Sequence, residues 1–565
     1  MLENPQLHET LVFKLQQLLH RYNPFLHVFR QLAQWSDDMS VVWSLESDLL
    51  ISHNIVFQLR RRWDINTRSQ SGDKVSCRTY NSYMLQIRPD DHSTVLQAGR
   101  LLQQYVVDNY VKIETGKLRW VRTRQKKLRA ELYQGLQDAL HTGETNAENV
   151  GRKRTILPSS FIGSRHDMTQ RYEDGMAIIL KEGKPDIFLT MTCNPSWTEI
   201  TSELNPVQTP QDRPDLTTRI FQAKIEQLKE DVITKGVLGK VKRYIYVTEF
   251  QKRGLPHVHM LLILENNDKL IDPEHYNSLV RAEIPSKVVE PHLHYAVLKH
   301  MIHDPCGTLD QSLPCMKNGQ CKRNYSKKFA AETRRGDDSY PQYRRRFDTP
   351  VPNNQNFTVD NRWVIPYNPW LLLKYDCHIN VEICSSIKSI KYLYKYCYKV
   401  QTGLQWKFTM VLMLTRSNSL LMQNGSLLQR HVGEYLNLTF YRMYPSVERL
   451  QIHLPNQHQV SFYDHQIIPE ILNDDYFSRT ILTEFFALNR EEDQQSRHLL
   501  YRKIPEYYTW HNKKKEWRRR KTQRRSIGRI YTVSPSEGEK FYLRILLSNV
   551  RGPISWDDLL IVNGV

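Results

Sequence analysis

Two apolar runs joined by a short turn dominate the middle of the chain. Val241-Lys242-Arg243-Tyr244-Ile245-Tyr246-Val247-Thr248-Glu249-Phe250 has the β-branched and aromatic content of a strand. His257-Val258-His259-Met260-Leu261-Leu262-Ile263-Leu264 is apolar apart from its two histidines and reads as a buried strand. Residues 251–256, with Gly254 and Pro256, turn the chain back between them and predict a hairpin. An earlier run, 186–193, predicts a further strand that Asn194-Pro195 ends. Helical spacing recurs over 96–140, through Leu101, Tyr105, Leu128, Leu132, Leu136 and Leu140. It recurs over 215–235, with Asp215 as the cap after Pro214, and again over 387–399.

The hairpin carries chemistry. Side chains two apart on a strand share a face, so His257 and His259 point the same way out of an apolar run. Burying two imidazoles is costly unless they are hydrogen-bonded or hold a metal. The hairpin brings the end of the first strand opposite the start of the second, within reach of Glu249 or Gln251. Two imidazoles and a carboxylate leave coordination positions open for phosphate oxygens, a donor set suited to Mg²⁺ or Mn²⁺.

The 387–399 helix sorts its side chains by arc. Ile387, Ile390, Leu393, Tyr394 and Cys397 make an apolar stripe; Tyr392 and Tyr396 fall opposite, with Lys388, Lys395 and Lys399. Lysines favour the ionised phenol and hold phosphate. A phenolate can attack a phosphodiester and form a covalent phosphotyrosine. A third cluster, His303, Cys306, Cys315 and Cys321, offers one imidazole and three thiolates, the donor set of a closed structural Zn²⁺ site. His300 competes with His303 for the fourth place, and ordinary free cysteines are the alternative reading.

The histidine pair around one apolar residue, followed by Tyr392-x-x-x-Tyr396 and a trailing Lys399, resembles the HUH endonucleases of rolling-circle replication. With Asp186-Ile187-Phe188-Leu189-Thr190-Met191-Thr192-Cys193-Asn194-Pro195 ahead of it, the pattern is most similar to the replication-initiator region of Helitron transposons, the Helitron helicase-like domain. The resemblance implies an α+β fold: an HUH-type core with a central antiparallel sheet flanked by helices. It also implies metal-dependent nicking and joining of single-stranded DNA. In that scheme His257 and His259 hold the metal, Tyr392 and Tyr396 are nucleophiles, and Lys399 sits by the phosphate. The family carries similar Cys/His residues at the third cluster, which supports a small zinc-binding insertion.

Composition agrees. There are 79 Lys+Arg against 60 Asp+Glu, a net charge of +19, which favours a polyanionic partner. Tyr343-Arg344-Arg345-Arg346-Phe347 mixes arginine with aromatics as a single-strand groove does, with a solvated charged turn as the equal alternative. Residues 513–525 hold nine basic residues in thirteen, fitting a phosphate-binding arm, a nuclear import signal or a solvated linker. The expected organisation is a mostly helical region at 1–155 and a nuclease domain at 156–402 with its insertion at 300–346. A mixed module at 403–510 and a basic linker at 511–565 complete the chain. No signal peptide or membrane-length apolar run is evident, so a soluble nuclear protein is expected. No Gly-x-x-x-x-Gly-Lys-Ser/Thr loop occurs, so no ATP hydrolysis is expected and a helicase would come from another chain. A DNA-binding remnant that cuts nothing is the alternative reading.

Overall fold

In the computed structural model the described residues are 77–86, 96, 100–126, 128–150, 165–384, 433 and 438–561, less 207, 251–254, 271, 305, 308–309, 337–339, 353–357 and 492–493. Packing divides the chain into two units. The smaller includes 77–83 and Asp108–Gly116; the larger holds Met84–Val107 and everything from Lys117 onward.

The larger unit is built around a five-stranded antiparallel sheet. The strands are β1 (Ile187–Thr192), β2 (Val241–Phe250), β3 (Pro256–Leu264), β4 (Ile379–Ile383) and β5 (Tyr441–Tyr444), in the order β5-β2-β3-β1-β4. Both runs of the expected hairpin and the expected strand before it are therefore strands. All nine residues of β3 are buried, because both faces of the sheet are covered and no polar alternation is required.

Among the described residues, the covering helices include α1 (Arg165–Glu182), α2 (Pro214–Lys229) and α3 (Pro291–His300). On one face Leu189, Met191, Tyr246, Val258, Met260 and Val381 pack with Phe221, Ile225 and Leu228 of α2 and Val297 of α3. On the other, Phe188, Ile245, Leu261 and Ile263 pack with Ile178 and Ile179 of α1. At one end of this second face the apolar residues give way to Thr190, Thr192, Glu249, His257 and His259, which alternate along their strands with the first core.

Several expectations are corrected by long-range pairing. The helical module expected over 96–140 is helical over Arg100–Lys126 and Tyr133–His141, but between them Leu128–Leu132 is a strand paired with Gln459–Tyr463. A partner more than 300 residues away overrides local helical spacing. Asp215 is not a cap: its buried carboxylate takes two bonds from Arg213, at 2.9 and 3.0 Å, and Arg213 occupies the N-cap position. The α-helix itself ends at Lys229 and widens into one π turn over Glu230–Thr234. The boundary drawn at 402 is not a break in packing, since β5 completes the sheet edge beside β2. Val447–Leu450 then pairs with Ile527–Ile530, and both arginines of that ribbon, Arg449 and Arg529, bind Asp174 of α1 at 2.8 and 2.7 Å. The basic run expected as an arm or linker is largely a hairpin, in which Glu516–Arg519 pairs with Tyr508–His511. Among the described residues no helix is long and apolar enough to cross a membrane.

Candidate metal centre

The hairpin delivers its polar residues to one point. Glu249 on β2 lies directly opposite His257 on β3, and residues opposite one another share a face. His259, two positions on, shares that face too. Its Nε2 lies 2.9 Å from Glu249 Oε1, and the two imidazoles meet edge to face with centroids 4.4 Å apart. Phe188 of β1 stacks beside His259 at 5.7 Å and holds its ring plane. One ligand atom from each of Glu249, His257 and His259 lies within 4.8 Å of the others.

The neighbouring strand engages one nitrogen of His257. Thr192 on β1 lies opposite His257, and its Oγ1 is 2.6 Å from His257 Nδ1. With Nδ1 engaged by the hydroxyl, Nε2 is the nitrogen left to act as a ligand. Burial, and then the adjacent His259, hold the His257 imidazole well below its ordinary pKa. The ring is therefore neutral near pH 7, the form that ligates metal. The spacing also fits. Donors about 2.1 Å from an octahedral ion stand about 3.0 Å apart along one edge, and the Glu249–His259 contact is 2.9 Å.

The second cluster lies beyond α3. His303 Nε2 is 3.6 Å from both Cys306 Sγ and Cys321 Sγ, and Cys315 completes a set whose ligand atoms all lie within 4.8 Å of one another. A tetrahedral ion with sulfur at about 2.3 Å and nitrogen at about 2.0 Å puts those atoms about 3.5 Å apart, close to the distances here. A tight hairpin brings two of the cysteines together: Met316–Lys317 pairs with Gln320–Cys321 around Asn318 and Gly319, at φ 52° and 75°. Asn-Gly is the residue pair that this left-handed turn favours. Burial, then Arg323 and Lys327, lower His303 to about 4, so it too is a neutral ligand. Burial and the neighbouring thiols push Cys306 up to about 12. Burial opposes ionisation of Cys321 as well, yet the Tyr325 and Arg323 backbone N–H groups bring its thiol below the ordinary value. Three sulfurs packed this closely ionise together only around a cation.

Hydrogen bonds run from β1 beside the Glu249 cluster to the end of α3. Thr192 N–H donates to the His378 carbonyl, and His378 Nδ1 lies 2.8 Å from the His300 carbonyl at the end of α3. His300 is not in the cysteine cluster, because its Nε2 binds Asp376 Oδ1 at 2.8 Å.

Residues 80–262 match the family model described as the Helitron helicase-like domain at N-terminus. The chain is Helitron-related. The matched stretch contains β1, β2, β3 as far as Leu262 and all three residues of the Glu249 cluster; the cysteine cluster lies after it. No curated protein matches this Helitron-related chain.

Of the other residues singled out from the sequence, Lys388, Tyr392, Lys395, Tyr396 and Lys399 lie outside the described residues, as does Gln251. The arginine triplet is described, and it is committed to structure. Arg345 is buried, donating through Nη1 to the carbonyls of Asn361 and Val364 at 2.6 and 2.7 Å. Arg344 and Arg346 both bind the Glu283 carboxylate, at 3.2 and 2.8 Å. A buried guanidinium with carbonyl partners cannot reach a phosphate, so Arg345 is withdrawn as a DNA contact. Thr192 is the residue that sequence reading missed. Its signal was the polar alternation Thr190-x-Thr192 inside an otherwise apolar strand.

Proposed function

We propose that this chain is an HUH-type nuclease of Helitron transposition, nicking and joining single-stranded DNA through a 5′-phosphotyrosine. The observation that carries the reading is the convergence of Glu249, His257 and His259 at the end of an antiparallel sheet, with ligand atoms within 4.8 Å of one another and His257 neutral. When bound, Mg²⁺ or Mn²⁺ would supply Lewis-acid polarisation of the scissile phosphate. Thr192 fixes the His257 ring, and Phe188 fixes that of His259.

The nucleophile in this reading is Tyr392 or Tyr396. The phenol gives up its proton to solvent, its oxygen attacks phosphorus and the bond to the sugar O3′ breaks. The departing oxygen takes a proton from water to become a free 3′ hydroxyl, and the 5′ phosphate stays on tyrosine. Attack by a 3′ hydroxyl reverses the step and joins strands; the second tyrosine permits a second transfer before the first link is released. Lys388, Lys395 and Lys399 offset charge on the phosphate. The Cys-His cluster is read as structural Zn²⁺, and nuclear localisation and a separately supplied helicase belong to the same proposal.

The test is a covalent adduct. Wild type with labelled single-stranded DNA and Mn²⁺ should give a protein-linked band that survives denaturation, lost when Tyr392→Phe and Tyr396→Phe are combined. Absence of the band in wild type, or its survival in the double variant, defeats the reading; mobility-shifted DNA without an adduct would instead mark a binder that does not cut.

A further inference from the structure

The insertion that holds the cysteines also presents two aromatic rings to solvent. Phe347 is 81% exposed and Phe329 36%. They meet edge to face with centroids 5.4 Å apart, and the Arg362 guanidinium lies 4.8 Å from the Phe329 centroid. One exposed phenylalanine needs no explanation. Two in contact, joined by a cation and carried on rigid backbone, do.

The rigidity has identifiable sources. Ala330 and Arg345 exchange both backbone hydrogen bonds, at 3.0 and 2.8 Å. The Arg345 side chain is pinned beneath by buried carbonyls, and Arg362 is clamped by both oxygens of Asp360. The ledge is formed in advance, so little ordering is needed when something lands on it. Its charge is suitable too. Lys327, Lys328, Arg344 and Arg346 flank the two rings in sequence. The nearby acids Glu283 and Asp360 are already matched by arginines. A cavity of about 660 Å³, lined by Lys287, Tyr295, Asp348 and Asn361 among others, opens next to Phe347 in the chain.

We propose that Phe347, backed by Phe329 and Arg362, is a stacking platform for a base of single-stranded DNA. The inference rests on the reading of single-stranded DNA as substrate and adds where one of its bases is held. Every base has a π-face, so such a platform grips strands of any sequence while nearby cations hold the backbone. It also gives the buried member of the arginine triplet a role without base contact: Arg345 sets the ledge that carries the ring.

Equilibrium binding of the full chain to fluorescent oligo-dT tests this. Phe347→Ala should weaken binding by about 5- to 150-fold, the loss of one base stack, and Phe347→Trp should retain it. On an abasic strand of equal length wild type and Phe347→Ala should bind alike, because phosphate contacts do not use the ring. Unchanged oligo-dT affinity in Phe347→Ala, or an equal loss on the abasic strand, overturns the platform. If wild type makes the covalent adduct while Phe347→Ala binds normally, the platform alone fails. If folded wild type binds no single-stranded DNA, the platform falls together with the reading beneath it.

Discussion

Replacing Thr192 by valine probes how the sheet prepares His257. The two side chains are nearly the same size, so packing against β3 is kept while the 2.6 Å contact from Oγ1 to His257 Nδ1 is lost. Both residues are buried, with His257 at 8% exposure and Thr192 at 4%, so water cannot easily replace the hydroxyl. Leaving a buried polar partner unsatisfied costs about 1–3 kcal/mol. Part of that appears as lower stability. The rest appears in the metal site, because with Nδ1 unengaged the ring loses its fixed orientation. Loss of such an outer partner weakens metal binding about 10- to 100-fold. Titrating Mn²⁺ and following free ion by electron paramagnetic resonance measures this directly. Thr192→Ser, which keeps the hydroxyl, should bind nearly as wild type. Unchanged Mn²⁺ affinity in Thr192→Val, or an equal loss in Thr192→Ser, would show that the hydroxyl does not orient the ligand.

Other parts of the molecule give three further expected outcomes. Purified protein should carry one zinc per chain by elemental analysis, and Cys321→Ser should lower both zinc content and the melting temperature, since binding at a closed site contributes directly to folding. Asp174→Asn should cost about 3–5 kcal/mol in denaturant unfolding, because Arg449 and Arg529 face each other across their ribbon with the Asp174 carboxylate between them. Burial raises the Glu382 carboxyl from its ordinary 4.5 to about 7, despite the hydrogen bond from Tyr343. The folded state therefore holds a proton that the unfolded chain releases, and stability falls as pH rises through that window. Relative to Glu382→Gln, wild type should lose roughly 3 kcal/mol between the two ends of it; a pH-independent difference would contradict the assignment.

The candidate site was legible because its chemistry is local. Glu249, His257 and His259 are brought together by one hairpin, and a turn flanked by two apolar runs fixes their register without reference to distant chain. The cysteine cluster was legible for the same reason: a single excursion after α3 contains all four ligands. What sequence could not give were pairings across long separations. The Leu128–Leu132 strand answers to Gln459–Tyr463, and β5 reaches the sheet from beyond residue 440. Local helical spacing carries no trace of either partner. Arg345 misled for a related reason. Three arginines in a row beside phenylalanine look alike in sequence, and only the backbone carbonyls around the middle one show that it is buried.

The most direct measurement is an anomalous difference map at the manganese edge from crystals grown with Mn²⁺. One peak should lie within coordination distance, about 2.2 Å, of His257, His259 and the Glu249 carboxylate. A map with no peak there, from crystals in which Glu249 still hydrogen-bonds His259, would contradict the claim that these three residues form a metal centre.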